Sequence, residues 1–207
     1  FDGEVYGIRR TDLTQFSNKA TIYPDGSVQL QYWDNIGDGY TYGFEAMIKR
    51  EISDRAYGWL SYSYSRTYQR FSPDNPYTPS TFDQPHVLNA VASYKLGHGW
   101  ELGARERMTS GSPTTVPTGA TFDADSGGYV RVVPSARNAR DPFFEQTDVR
   151  IEHTWLYDTW SLGLYLDVQN IFNTTNVEAY QYDYRFRERA AVTSLPILPT
   201  LGVRGSW

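Results

Sequence analysis

The chain has 207 residues, a net charge of −5 and no cysteine, so it is sized for one domain and excludes a disulfide framework or a thiolate metal site. Its mild acidity gives no footing for a nucleic-acid partner, which needs a basic surface. Mean hydropathy is −0.56 and no run of about 18 apolar residues occurs, which rules out a transmembrane helix. Aromatics make up 16% of the chain and 17 of them are Tyr, too rich for disorder and heavy in Tyr for a soluble core. Phe1 opens in mid-strand pattern with no basic start or apolar leader, which reads as a chain whose beginning lies elsewhere.

The dominant period is two, the period of a strand. Gly3–Arg10 is the first candidate. Tyr40, Tyr42, Phe44, Ala46 and Ile48 then alternate with Thr41, Gly43, Glu45, Met47 and Lys49. Leu60, Tyr62 and Tyr64 oppose Ser61, Ser63 and Ser65; Leu88, Ala90, Ala92, Tyr94 and Leu96 oppose Asn89, Ser93 and Lys95. Trp100, Leu102 and Ala104 oppose Glu101, Gly103, Arg105 and Arg107, and Val149, Ile151 and Trp155 oppose Asp148, Arg150 and Glu152. Trp160, Leu162, Leu164, Leu166 and Val168 oppose Gly163, Tyr165, Asp167 and Gln169. The chain closes on Leu201, Val203, Gly205 and Trp207 against Thr200, Gly202, Arg204 and Ser206. This predicts about eight strands of roughly 9–13 residues, the length of a tilted strand crossing a bilayer.

The connections alternate. Tight turns are predicted at Ile52–Ala56, Leu96–Trp100 and Leu156–Thr159. Long structureless loops rich in Gly, Pro, Ser, Thr, Asp and Asn are predicted near 11–38, 70–84, 111–142 and 174–198. Short turns at one end and long loops at the other are the asymmetry of an outer-membrane β-barrel, with the long loops outside the cell and the C-terminus in the periplasm. Trp100, Trp155, Trp160 and Trp207 at strand ends fit its interfacial aromatic girdle. The competing fold is a soluble sandwich or lipocalin-like barrel, whose apolar face would turn inward.

Four segments occur in the order found in one family. Asn35–Glu45 (N-I-G-D-G-Y-T-Y-G-F-E) is similar to a loop-to-strand segment with N-I-G followed by Y-G-x-E. Phe82–Asn89 (F-D-Q-P-H-V-L-N) opens a later strand, Thr109–Pro113 (T-S-G-S-P) enters a long loop, and Val168–Asn173 (V-Q-N-I-F-N) lies in the penultimate strand. Together with the final aromatic they resemble the C-terminal barrel of TonB-dependent outer-membrane receptors. The resemblance implies an all-β, antiparallel transmembrane wall spanning residues 1–207, about eight strands of a barrel of roughly 22. The plug and the other strands would lie outside this chain. It implies TonB-energised uptake of a scarce, bulky nutrient such as a metal chelate, vitamin or glycan. The implied partners are outer-membrane lipid and lipopolysaccharide, the protein's own plug and remaining strands, and TonB through an N-terminal segment. It implies no bond chemistry and no cofactor. Two alternatives stand beside it: a small self-contained eight-stranded structural or adhesive barrel, and an outer-membrane hydrolase.

The inward face is predicted to carry Glu45, Lys49, Lys95, Arg105, Arg107, Asp148, Arg150, Glu152, Asp167 and Arg204, either as cross-strand ion pairs or as contacts to a plug or ligand. Inward Gly43, Gly103, Gly163 and Gly202 are expected to leave gaps, which a sealed eight-stranded barrel could not tolerate. The first strand is therefore expected not to pair with the last. Loop aromatics and arginines, Trp33, Tyr68, Phe71, Tyr77, Tyr184 and Arg187 among them, are of the kind found on binding surfaces, with Tyr129, Arg131, Arg137, Arg140, Tyr180, Tyr182 and Arg185 as ligand-contact candidates. His86, His98 and His153 are too scattered for a metal site. A hydrolase would have to pair His86 with Ser63 or Ser65, which stand in the opposite register. Asp123–Gly128 lacks the acidic positions of an EF-hand loop and reads as a polar loop tip.

Overall fold

The computed structural model describes residues 1–17, 19–50, 55–135 and 137–207. The protein is all-β and antiparallel. Eight strands form a simple meander, each paired to the next in sequence. They are β1 (Asp2–Phe16), β2 (Trp33–Arg50), β3 (Ala56–Arg70), β4 (His86–Gly97), β5 (Trp100–Thr109), β6 (Phe144–Leu156), β7 (Ser161–Gln169) and β8 (Leu198–Ser206). A short strand, Thr78–Pro79, adds to the outer end of β3. The strands joined by one-step pairing place short connections at one end and long ones at the other. The turn predicted at Ile52–Ala56 falls mostly on 51–54, outside the described residues.

Among the described residues no pairing joins β1 to β8, so the sheet is open with two free edges. It also has no core: no hydrophobic residue among those described is buried. The accessible surface is 14604 Å². A compact monomer of 23.7 kDa exposes about 9,800 Å². The excess is the surface of a sheet with nothing packed on either side.

Register fixes two chemically different faces, because directly paired residues share a face. One row runs Val5, Phe44, Tyr64 and His86 across β1 to β4. Another runs Tyr94, Leu102, Ile151, Leu166 and Leu201 across β4 to β8. This face is apolar and carries an aromatic belt at each end. At the short-turn end His153 packs between Trp100 (4.6 Å between ring centroids) and Trp155 (4.2 Å), and Trp160 stacks on Tyr157. Trp207 follows the end of β8 and is fully exposed. At the long-loop end Tyr40 packs on Tyr68 and Tyr77, and Tyr62 shares a 2.7 Å hydrogen bond with His86 Nδ1. Between the belts one polar pair, Thr147 donating to Glu106, interrupts a field of Leu, Ala, Val and Ile. The opposite face carries all ten charged residues predicted for it.

Three expectations are corrected. The first hairpin is longer than predicted: β1 has 15 residues and β2 has 18, so 11–16 and 33–38 are strand rather than loop. A bulge at Arg10–Thr14, with Asp12 at φ 57°, breaks the alternation that would have signalled the extension. Trp33 accordingly lies in a strand, stacked on Phe16 at 4.4 Å, and Tyr68, also expected in a loop, lies in β3. Next, the long connections are not structureless. They hold hairpins at Ala20–Leu30, Gly119–Val132 and Val177–Thr193, and Pro113–Thr114 pairs with Ala139–Arg140.

Glycine packing is the third difference. The inward glycines do not all leave gaps. A Cβ on Gly202 would lie 2.2 Å from the Tyr165 ring, and one on Gly43 2.9 Å from the Tyr6 hydroxyl. A cross-strand tyrosine lies over each of these glycines. At Gly163 the Glu152 carboxylate closes in to 3.0 Å, and only Gly103 is loosely surrounded. The Tyr165 ring in turn carries the Arg150 guanidinium 3.8 Å from its centroid. Gly202→Val should therefore displace Tyr165 and Arg150 together and destabilise the sheet by about 1–3 kcal/mol, while the same change at exposed, uncrowded Gly205 is mild. Thermal denaturation of the two variants, followed by loss of β-sheet circular dichroism, checks the contrast.

Candidate functional site: the polar face and the bases of the long loops

Strand alternation brings the predicted wall residues to one surface, where they pair. Arg105 forms an ion pair with Asp148, its Nε 3.0 Å from Oδ2. Glu152 is shared, accepting from Arg150 across 2.7 Å and from Arg204 two strands away. Glu45 accepts from Ser63, and Arg107 lies over Phe144 at 5.2 Å. Lys49, Lys95 and Asp167 have no ion pair among the described residues. Several open clefts lie on this face, and two illustrate it. One, of about 380 Å³, runs between Ser93, Gly103, Arg105, Asp148 and Asp167. The other, of about 410 Å³, is lined by Glu4, Glu45, Met47, Ser61 and Asn89. Such a surface suits a polar, hydrated contact.

The long loops start from three polar anchors. Asp83 is fully buried. Its Oδ1 accepts from the Thr67 amide (2.8 Å) and Arg66 Nε (3.1 Å), and its Oδ2 accepts from Arg140 Nη2 (2.5 Å). Arg140 Nη1 also donates to the carbonyls of Asp83 (2.6 Å) and Gly111 (2.9 Å). Arg137 donates to the Pro79 carbonyl at 2.9 Å. Nearby, Ser110 and His86 exchange bonds through the Ser110 amide and hydroxyl, and Gln84 donates to Ser112. Gly111 is required here because its Cβ would fall 1.7 Å from the Asp141 carbonyl oxygen. The segments Phe82–Asn89 and Thr109–Pro113, 20 or more positions apart, thus interlock around one carboxylate.

The second anchor is Asp148. Beyond Arg105, its Oδ1 accepts from the Asn170 amide (2.9 Å) and Gln146 (2.8 Å), which holds the end of β7 against β6. Asn170 takes a left-handed backbone (φ 52°), a conformation Asn tolerates, and its side chain bonds the carbonyls of Thr174 and Leu195 and the Thr174 amide. Asn173, with the same φ, accepts from the Ile197 amide. The third anchor is buried Asn176, whose side-chain amide donates to and accepts from the backbone of Glu145, standing in for one residue of a neighbouring strand.

Beyond the anchors, two hairpins meet. Tyr129 packs edge-on against Phe122 and Tyr184, each at 5.4 Å, and Tyr184 Oη donates to the Gly127 carbonyl at 3.1 Å. Arg185 lies over Tyr129 at 5.9 Å and Arg189 over Tyr180 at 4.2 Å. Tyr182 faces Phe186, and Arg131 is exposed on the strand that carries Tyr129. Asp123 caps its own turn, accepting from the Asp125 amide and the Ser126 hydroxyl, as a loop tip should.

The candidate ligand residues therefore divide. Tyr129 and Arg185 come together at the hairpin joint, with Tyr180 and Tyr182 on the same hairpin as Arg185. Arg137 and Arg140 are committed to carbonyls and to Asp83, and so serve as struts between loops. The segments that carry the family resemblance hold Asp83 and Asn170, but nothing along the chain marks either of them, or Asn176, as an anchor, because each is an ordinary Asp or Asn at a strand-to-loop junction whose partners are distant in sequence. His86 and Ser63 stand in adjacent registers on opposite faces, as expected, since Ser63 pairs with Val87 and Tyr64 with His86. Among the described residues no cluster of three His, Asp or Glu can hold a metal ion. No family model, curated protein or solved structure matches the chain.

Burial alone would raise the Asp83 pKa, but hydrogen bonds from Arg140 and the Thr67 amide and the charge of Arg66 outweigh it and hold the carboxyl below its usual range. A lowered folded value means the stabilisation is present above the unfolded pKa near 4 and is lost as pH falls through the folded value. Asp83→Asn leaves two guanidiniums short of their partner and should cost about 3 kcal/mol. In limited proteolysis, segments 80–85 and 137–142 should be cut faster in the variant at pH 7. Acidification below about pH 4 should speed cleavage in the wild type and much less in the variant.

Proposed function

We propose that this chain is wall and outer-loop structure of an energised outer-membrane uptake receptor of the TonB-dependent kind. The observation that carries the reading is the sheet itself: an apolar face bounded by two aromatic belts, with no hydrophobic core behind it and both edges unpaired among the described residues. In water such a face is a large penalty, since about 25 cal/mol is forfeited per Å² of exposed apolar surface. Against lipid it is at home. Crossing by strands needs no apolar helix, and among the described residues no helix is long and apolar enough to cross a membrane.

The rest follows from that placement. The polar face meets a hydrated lumen holding a plug, and the free edges of β1 and β8 pair with further strands of the same barrel, since an open edge in a bilayer leaves backbone groups unsatisfied. The long loops are outside the cell and β8 ends at the periplasmic boundary. Outer-membrane lipid and lipopolysaccharide contact the apolar face. TonB acts through the plug side of the protein, so the wall itself performs no bond chemistry. Interlocked segments Phe82–Asn89 and Thr109–Pro113 support the family reading, because the residues that carry the resemblance are those that tie the loops together.

Deleting the gene should leave growth normal in rich medium and impair it when iron, cobalamin or a glycan carbon source is limiting. Loss of the inner-membrane energising partner should reproduce the defect. The full-length protein should fractionate with outer membranes at a mass far above 23.7 kDa. A soluble protein, or unimpaired growth in every limiting medium, overturns the reading.

A further inference from the structure

The joint between the hairpins Gly119–Val132 and Val177–Thr193 holds a cluster of guanidiniums that the fold does not consume. Asp183 shows why. Its Oδ1 accepts from the amides of Arg187 (2.6 Å) and Glu188 (2.9 Å), and its Oδ2 accepts from the amide of Arg185 (3.3 Å). The carboxylate is thereby turned into its own turn, with its pKa held low by these backbone bonds, Glu188 first. It rigidifies the tip, helped by Phe186 at φ 55°, and forms no ion pair with the arginines' side chains, acting on Arg187 only through its charge at a distance.

Arg185, Arg187 and Arg189 are exposed and form no ion pair among the described residues. Arg185 and Arg189 are oriented by tyrosine rings, Tyr129 and Tyr180. An Arg stacked on an aromatic keeps its planar donor fork and loses little entropy on binding. Tyr184, 65% exposed, and Phe122, 54% exposed, present ring surface beside them. Asp123 on the facing tip is folded onto its own turn in the same way, so that among the described residues of the two hairpins Asp125, Glu178 and Glu188 are the acids left facing outward, Glu178 toward the base of its hairpin. Capped carboxylates still balance much of the charge, so the surface is suited to paired, directional contacts more than to a general attraction for polyanions.

We propose that this joint is a ligand-recognition surface and that it takes a multiply anionic ligand, whose carboxylate, sulfate or phosphate groups engage Arg185 and Arg187 while a ring of the ligand lies on Tyr184. The inference rests on the uptake reading for its placement outside the cell, but binding itself is independent of transport. Two sources carry such chemistry, an acidic oligosaccharide and an anionic metal chelate.

The test is equilibrium binding to the purified full-length protein in detergent, with a hexameric oligo-uronate, ferric citrate and neutral maltohexaose as probes. One or both anionic probes should bind, more tightly than maltohexaose, and which of them does so identifies the source. Arg185→Gln/Arg187→Gln should weaken that binding at least about tenfold, because each charge-assisted bond lost is large on this scale. Glu188→Gln should leave it equal or tighter. Both variants alter exposed side chains, so an unchanged melting temperature confirms folding. The proposal is overturned if neither anion binds, if maltohexaose binds as well as they do, or if the double variant binds like the wild type. Binding that persists in a protein with no role in nutrient-limited growth would overturn the uptake reading and leave this one standing.

Discussion

One constraint governs the structure: a continuous eight-strand sheet with two chemically opposed faces and no interior of its own. A soluble domain of this size stabilises itself by burying apolar side chains between layers. Here there is one layer. Each of β2 to β7 is paired on both sides along its central part, and the side chains sort by register into an apolar face and a polar one. What covers each face must come from outside the sheet. The two edges pose the same problem in the backbone, because β1 and β8 each carry a row of donors and acceptors with no strand partner among the described residues. In the proposed placement, lipid, hydrated lumen and adjoining strands answer all three needs at once.

Loops this long need fastening. They are held by side chains that imitate or complete backbone pairing at the sheet's outer rim. Asp83 ends three chains of donors, Asp148 extends the pairing of β7 past its last strand residue, and Asn176 fills the place of a strand neighbour. Charged groups so used are bonded on every side, which is how a polar anchor avoids the cost of an unpaired buried charge. The hairpins above the anchors are free to present Tyr184, Arg185 and Arg187 to solvent. Rigid base and exposed tip are thus two parts of one construction, and the wall's ion pairs, such as Glu152 with Arg150 and Arg204, hold the strands that carry it.

Period two made the central parts of all eight strands legible, together with their facing. It failed where geometry departed from the simple pleat. The bulge at Asp12 shifts the phase, so β1 and β2 looked shorter than they are. Three-residue strands such as Val28–Leu30 are too short to show a period. Gly202 looked like a gap because the Tyr165 ring that fills it comes from the neighbouring strand, 37 positions away in sequence. Arg140 looked free to bind a ligand because its partners, the Asp83 carboxylate and the carbonyls of Asp83 and Gly111, are distant in sequence and two of the three are main chain. Patterns along a chain report facing well. They do not report which distant group a polar side chain will meet.

The central claim is that the apolar face meets lipid and the polar face meets water. The most direct measurement places single spin-labelled cysteines at successive positions from Leu162 to Val168 in the full-length protein in outer-membrane vesicles. Collision with molecular oxygen, which concentrates in the bilayer, is compared with collision with a water-soluble nickel chelate. The account predicts a period of two, with oxygen dominant at 162, 164, 166 and 168 and the chelate dominant at 163, 165 and 167. Equal chelate access at both sets, or oxygen dominant at the odd positions, would contradict it.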